Sequence, residues 1–210
     1  VRRKKRYKIL AFTLLLFLIV VLFCSCQMSK AKQEQLEYRQ TGIDLMDAGE
    51  YDTAVKTFDL ALSKSVGRIT DVEIDICYYK AAAQYQVGDI DGAIETYSAL
   101  IGYKPKTADA YFLRGTMYLA QQQKESADAD FNQMLSLNQY SCESYLRVYE
   151  AYTQAGYEDE AALLVQSVAD GTASADASDS QMGYIYYLAG EYEKAKESFS
   201  DAVSKNDIRG

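Results

Sequence analysis

Cysteine thiols and regularly spaced carboxylates are the groups in this 210-residue chain whose types could do chemistry. Histidine is absent, so the side chain that titrates most readily near neutral pH, and the commonest metal ligand, is missing. Acid–base or metal chemistry would have to be built from carboxylates, Lys, Tyr or Cys. The carboxylates fall into two columns: Asp52, Asp91, Glu125, Asp159 and Glu193 in one, Asp75, Asp109 and Glu143 in the other. Each stands where the hydrophobic pattern starts a helix. There an acid can accept a free backbone N–H and complements the positive end of the dipole. The second column could instead receive a Lys or Arg of a partner. No G-x-S-x-G, phosphate loop, C-x-x-C or metal-ligand spacing occurs. The sequence therefore assigns no catalytic residue, no metal site and no cofactor, and the chain reads as a non-enzyme. What remains is thiol chemistry near the N-terminus and non-covalent recognition by 19 tyrosines.

The thiols nearest the N-terminus sit in a charged and apolar context. Arg2, Arg3, Lys4, Lys5, Arg6 and Lys8 precede Ile9 to Phe23, fifteen residues without a charge. As a helix that run would span ~22 Å, short of the roughly 30 Å hydrocarbon core but suited to a secretory signal. Phe23-Cys24-Ser25-Cys26 follows and resembles a bacterial lipobox, with Ser25 before Cys26, although Phe23 and Cys24 depart from the usual residues. The resemblance implies cleavage before Cys26 and its lipidation. Residues 1–25 are then a signal peptide, and 26–34 form a tether to an extracytoplasmic membrane face. A single-pass anchor is the alternative. Beyond the basic flank the chain carries 16 basic and 30 acidic residues. Such an acidic body argues against nucleic acid, whose binding needs clustered Lys and Arg.

Those residues are positioned by a repeat. The stretch GEYDTAVKTFDLAL at residues 49–62 returns as GEYEKAKESFSDAV at 190–203. Ala93, Ala127, Ala161 and Ala195 stand 34 residues apart, and Ala54 lies 39 before Ala93, the surplus falling in the loop-like stretch Val66 to Thr70. A fixed period of this length marks a repeat architecture. Four and seven residues after each Ala stand Phe58 and Ala61, Tyr97 and Leu100, Phe131 and Met134, Val165 and Val168, Phe199 and Ala202. At 100° per residue these form one apolar stripe. Five before each Ala stands Gly49, Gly88, Gly156 or Gly190, with Gln122 the exception, suiting a left-handed turn between two helices. Twelve before stands Gly42, Ala81, Gly115, Tyr149 or Gly183, mostly small enough to let helices approach closely. Pro105 can only end the helix before it. Ala169 to Ser180 reads as a loop that shortens the helix behind it.

The period, the small residue in the first helix, the Ala-x3-Phe-x2-Ala of the second and Pro105 resemble the tetratricopeptide repeat over about residues 35–207. Trp is missing, and Pro occurs in one unit only. The resemblance implies an all-α superhelix of helical hairpins, with units at 35–66, 74–107, 108–141, 142–175 and 176–207. It also implies that the first helices line a partner-binding groove. Tyr78, Tyr85, Phe112, Leu119, Leu146, Tyr184 and Tyr187 lie on the stripe that would face it. The Lys, Arg and Asn residues with which co-chaperones of the family grip a C-terminal carboxylate are absent from the matching slots. A protein or peptide partner is expected, with the chain as a membrane-tethered scaffold in cell-envelope assembly or secretion. Glycan capture on aromatic platforms and self-assembly are the alternatives. Cys77 and Cys142 fall two units apart, beyond the reach of a disulfide, and are expected to be free and buried.

Overall fold

A computed structural model describes residues 30–205, and the account below is confined to them. The apolar run, Cys26 and the start of the tether lie outside the described residues. Ten helices follow one another: α1 (30–47), α2 (Tyr51–Ser63), α3 (Asp71–Gln86), α4 (Ile90–Tyr103), α5 (Ala108–Ala120), α6 (Lys124–Leu137), α7 (Cys142–Gln154), α8 (Glu158–Ala169), α9 (Asp179–Leu188) and α10 (Tyr192–Ser204). The described residues contain no strand, only an isolated parallel bridge between Ser141 and Asp176. Residues 30–34, expected in the tether, are already helical. Helix α9 has 10 residues where α5 and α7 each have 13, matching the shortening read from the loop before it.

The chain divides into two compact units, Val1–Asp89 and Ile90–Gly210. In the first, Ala54, Phe58 and Ala61 of α2 pack with Ile76 and Ala83 of α3, bordered by Tyr38, Ile43 and Leu45 of α1. In the second, a continuous core runs from Leu119 and Phe131 through Tyr145, Val148 and Val165 to Ile185. The stripe at each anchor Ala is buried as the spacing demands. The exception is Phe199, at 40% exposure.

Within a hairpin, the small residue and the aromatic are matched atom to atom. A Cβ placed on Gly42 would lie 2.4 Å from the Phe58 ring, one on Gly115 2.6 Å from Phe131, and one on Gly183 2.7 Å from Phe199. The ring of the second helix thus rests on bare backbone of the first. The unit that carries Tyr149 in the glycine slot carries Val165 in place of the aromatic, which moves bulk from one helix to the other.

The turns obey an equally local rule. Gly49 donates its N–H to Met46 O, and Glu50 donates to Leu45 O, at 3.0 and 2.8 Å. The same pair of bonds recurs at Gly88, Gln122, Gly156 and Gly190. This closure needs a left-handed residue. The four glycines adopt φ between 77° and 80°, and Gln122 is held at φ 60° against its Cβ. The acids two before each Ala lie in the first turn, two residues past the N-cap in α2, α6, α8 and α10. The N-cap places of α2, α6, α8 and α10 belong to Glu50, Gln123, Tyr157 and Glu191, none with a side-chain cap bond. Side-chain caps occur instead on first helices, at Thr70, Ser141 and Ser178.

Two substitutions probe these rules. Gln122→Gly should raise stability by ~1 kcal/mol by removing the left-handed penalty, read as a higher urea midpoint with unchanged slope. Gly115→Ala should lower it by about 1–3 kcal/mol through overpacking against Phe131. Adding Phe131→Leu should recover part of the Gly115→Ala loss, so purely additive losses would count against the ring-on-backbone contact.

Candidate functional site

Among the described residues no group of three His, Cys, Asp or Glu could hold a metal ion. The described thiols are free, as expected from the repeat spacing. Cys142 is buried, and burial pushes its pKa up to about 11, far from a nucleophilic thiolate. Cys77, expected to be buried, is half-buried, and desolvation raises its pKa as well.

The first unit places Tyr85 at 45% exposure near the end of α3, with Tyr78 half-buried on the same helix. Asp75 of the acidic column is already paired: Arg39 of α1 donates to it while lying 5.5 Å over the Tyr79 ring. Nearby, Glu73 accepts from Gln35 Nε2 at 2.9 Å, Ser65 Oγ at 2.8 Å, Thr70 N–H at 2.7 Å and Thr70 Oγ1 at 2.6 Å. Burial alone would raise its pKa, but these donors prevail and hold it at about 2. A reciprocal cap at Thr70 thus doubles as a tie between α1, the α2–α3 loop and α3.

The second unit sorts the remaining candidates. Leu119 corrects the expectation of a partner-facing side chain. It is 3% exposed and belongs to the core, because the end of α5 is covered by the helices packed on it. Phe112 and Leu146 are half-buried against the same core. Phe112 lies between Phe131, at 5.9 Å, and the Arg147 guanidinium, 4.2 Å over its ring. Arg147 also donates to Asp109 at 2.9 Å, so a second acid of the column is held by the chain's own arginine.

Tyr184 and Tyr187 of α9 behave differently. They are 44% and 56% exposed, and their rings stack with centroids 6.4 Å apart and planes 13° from parallel. Tyr187 meets Tyr192 of α10 edge-on at 5.9 Å, and Tyr192 is 65% exposed. These rings form a continuous aromatic run open to solvent. Tyr192 is a residue the stripe analysis missed, because it stands on a second helix. Its place two residues after Gly190 in the turn was the available signal.

Also missed was a largely buried ion pair between α5 and α6. Arg114 of α5 grips Asp130 of α6 through two bonds, Nε to Oδ2 at 2.8 Å and Nη2 to Oδ1 at 2.7 Å, and donates to Ser98 of α4 at 3.0 Å. Tyr111 and Tyr118 flank the guanidinium, each at 5.7 Å. The bond to Asp130 raises the Arg114 pKa further, against the cost of burial. Each of the three guanidinium nitrogens donates inside the chain, so the cluster reads as a structural lock.

The Glu73 network gives a pH test. Its folded pKa lies below the ordinary 4.5, so its contribution is complete above that value and is lost as pH falls from about 4.5 to about 2. The shift corresponds to about 3 kcal/mol. Acid titration of unfolding should show this slope in the wild type and a flatter one in Glu73→Gln. Equal slopes would count against the network.

A tetratricopeptide repeat family model matches residues 78–141, and a second tetratricopeptide repeat model matches residues 180–204. Among solved structures, a tetratricopeptide repeat protein from Parabacteroides merdae is 17% identical, with a TM-score of 0.54 over 84% of this chain and 68% of its own. The MamA protein is 17% identical, with a TM-score of 0.51 over 83% of this chain and 93% of its own. Likeness at this identity speaks for the fold. No curated protein matches the chain. The chain carries tetratricopeptide repeats, and its fold is the all-α helical-hairpin fold of tetratricopeptide solenoids.

Proposed function

We propose that the chain is a membrane-tethered scaffold that binds a protein partner through exposed tyrosines of its first helices. Its setting in this reading is cell-envelope assembly or secretion on an extracytoplasmic membrane face. The tether is lipidated Cys26 or, alternatively, residues 1–25 retained as a single-pass anchor. Tetratricopeptide folds are protein-interaction scaffolds, and that general role rests on the repeat matches.

The observation that carries the reading is the open aromatic run of Tyr184, Tyr187 and Tyr192. No buried side-chain polar atom among the described residues lacks a hydrogen-bond partner, and Asp75 and Asp109 are already paired. Tyrosine is a favoured interface anchor because it combines a large rigid apolar area with a polar tip and few rotors. Three such side chains in mutual contact lose little freedom on binding. Tyr85 offers a similar single ring in the first unit.

A photo-cross-linking residue at position 187 should capture one discrete protein in intact cells. The same residue at Leu163, 70% exposed on α8, should capture none. Tyr184→Ser with Tyr187→Ser should weaken capture roughly 30-fold, the effect of losing an anchor worth about 2 kcal/mol, with melting unchanged. Equal capture from both positions would reject the surface. Tyrosine fluorescence that responded to cell-wall polysaccharide instead would favour glycan binding.

A further inference from the structure

The one spacing between anchor alanines that exceeds 34 residues, the 39 from Ala54 to Ala93, is spent on the loop between α2 and α3. Both ends of that loop are tied to one carboxylate. Ser65 Oγ donates to Glu73 at 2.8 Å, and the Thr70 N–H donates to it at 2.7 Å. The residues between them, Val66 to Ile69, form an exposed tip on a clamped base, turned at Gly67 with φ 87°. Val66 is 50% exposed and Ile69 42%, and exposed Arg68 stands between them in sequence. A lone exposed apolar side chain is ordinary. Two that flank a cation on a fixed tip suit the boundary between lipid headgroups and acyl chains. The loop also lies beside the start of α1, because Lys64 Nζ donates to Glu34 at 2.7 Å and Gln35 Nε2 donates to Glu73 at 2.9 Å.

We propose that the tip docks on an anionic lipid surface, with Val66 and Ile69 entering the headgroup boundary and Arg68 pairing with lipid phosphates. The proposal rests on the membrane tether of the proposed function and adds a second contact to it. Cys26 stands four residues before Lys30, and Phe23, the end of the apolar run, stands seven before it. Either tether therefore keeps the start of α1 within about 14–25 Å of the bilayer, even at full extension. Local charge is complementary to such a surface. Over residues 30–35 and 64–73, Lys30, Lys32, Lys64 and Arg68 stand against Glu34, Asp71 and Glu73, in a body of 16 basic and 30 acidic residues. Lys32 and Arg68 are exposed and form no ion pair among the described residues. Each basic residue near an anionic leaflet adds a modest attraction, and a weak contact counts for more once a tether holds it close. Val87 ends α3 sixteen residues after Asp71, about 24 Å along the helix. Docking through the loop thus holds neighbouring Tyr85 at the end of the first unit away from the bilayer.

The sequence contains no Trp, so Val66→Trp gives the full chain a single tryptophan. In liposomes of phosphatidylcholine and phosphatidylglycerol, its emission should shift to the blue. It should also lose about half its intensity when the lipids carry bromine near the headgroup end of the acyl chains. Val87→Trp should stay unquenched. Circular dichroism and melting should match the wild type, and Ile69→Trp serves as a second reporter of the same tip. Adding Arg68→Glu to Val66→Trp should lower the docked-to-undocked ratio roughly 30-fold, since it removes one attraction and adds one repulsion. Liposomes of phosphatidylcholine alone should give a similar loss. An unquenched tryptophan at position 66, in protein that floats with the liposomes, would overturn the proposal and leave the tether standing. Protein that fails to float would overturn both. Equal quenching at positions 66 and 87, or quenching indifferent to Arg68→Glu, would also reject lipid docking by this loop. So would a blue shift without liposomes, because a second copy or the chain itself would then cover the tip.

Discussion

The close seating of an aromatic ring on a backbone position that lacks a Cβ governs this architecture. Gly42 under Phe58, Gly115 under Phe131 and Gly183 under Phe199 draw the two helices of a hairpin together. One side of the ring is then fully packed, and the other side remains apolar and open. A single hairpin has nothing with which to close it. The following first helix does so, as Tyr152 does for Phe131, and the 34-residue recurrence follows from that need. The exchange of Tyr149 and Val165 for the Gly and Phe of neighbouring units shows what is held constant. It is a filled space between the two helices, with the bulky ring supplied from either one.

Building the repeat with tyrosine in place of tryptophan or phenylalanine has a polar consequence. Each hydroxyl must reach an acceptor or water. Tyr152 donates to Asp128, which contributes to a pKa raised chiefly by burial, and Tyr145 donates to the backbone of Ser174 in the α8–α9 loop. The second bond works alongside Cys142 N–H to Asp176 O and Asp176 N–H to Tyr140 O, at 2.9 and 3.1 Å. Together they fasten the loop before the shortened α9 to the start of α7. A stretch that reads as irregular in sequence is thus anchored by backbone bonds. Rings at the hairpin margins also become amphipathic, which is why an exposed tyrosine run costs the fold little.

The parts of this structure that depend on neighbours within one unit were legible in the sequence. Glycine at the turn, Ala-x3-Phe-x2-Ala on the second helix and the small residue on the first all reflect contacts inside one hairpin. Features that depend on residues one unit away were not. Gln35 reaches Glu73 across 38 positions, Arg147 reaches Asp109 across 38, and Arg39 reaches Asp75 across 36. Helical period states which side of a helix a residue occupies, but not how far along that side the next helix extends. Leu119 and Tyr85 show the difference. They stand eight residues before Ala127 and Ala93, equivalent places in sequence, yet one is in the core and the other is 45% exposed.

Those long-range pairs also change how the charge of the chain should be read. An acidic body with an acidic column on its first helices suggests a basic partner. Yet Asp75 and Asp109 are neutralised from within, and each arginine that does so also covers an aromatic ring, Tyr79 or Phe112. A partner's lysine would have to displace a guanidinium that is already paired and lies over a ring, for little net gain. Selection by point charge is therefore weak at Asp75 and Asp109. Under the proposed function, discrimination would fall to shape and apolar contact at the exposed tyrosines, Tyr184 and Tyr187 foremost. Net charge then acts at longer range, keeping like-charged bodies apart and setting how fast a partner arrives.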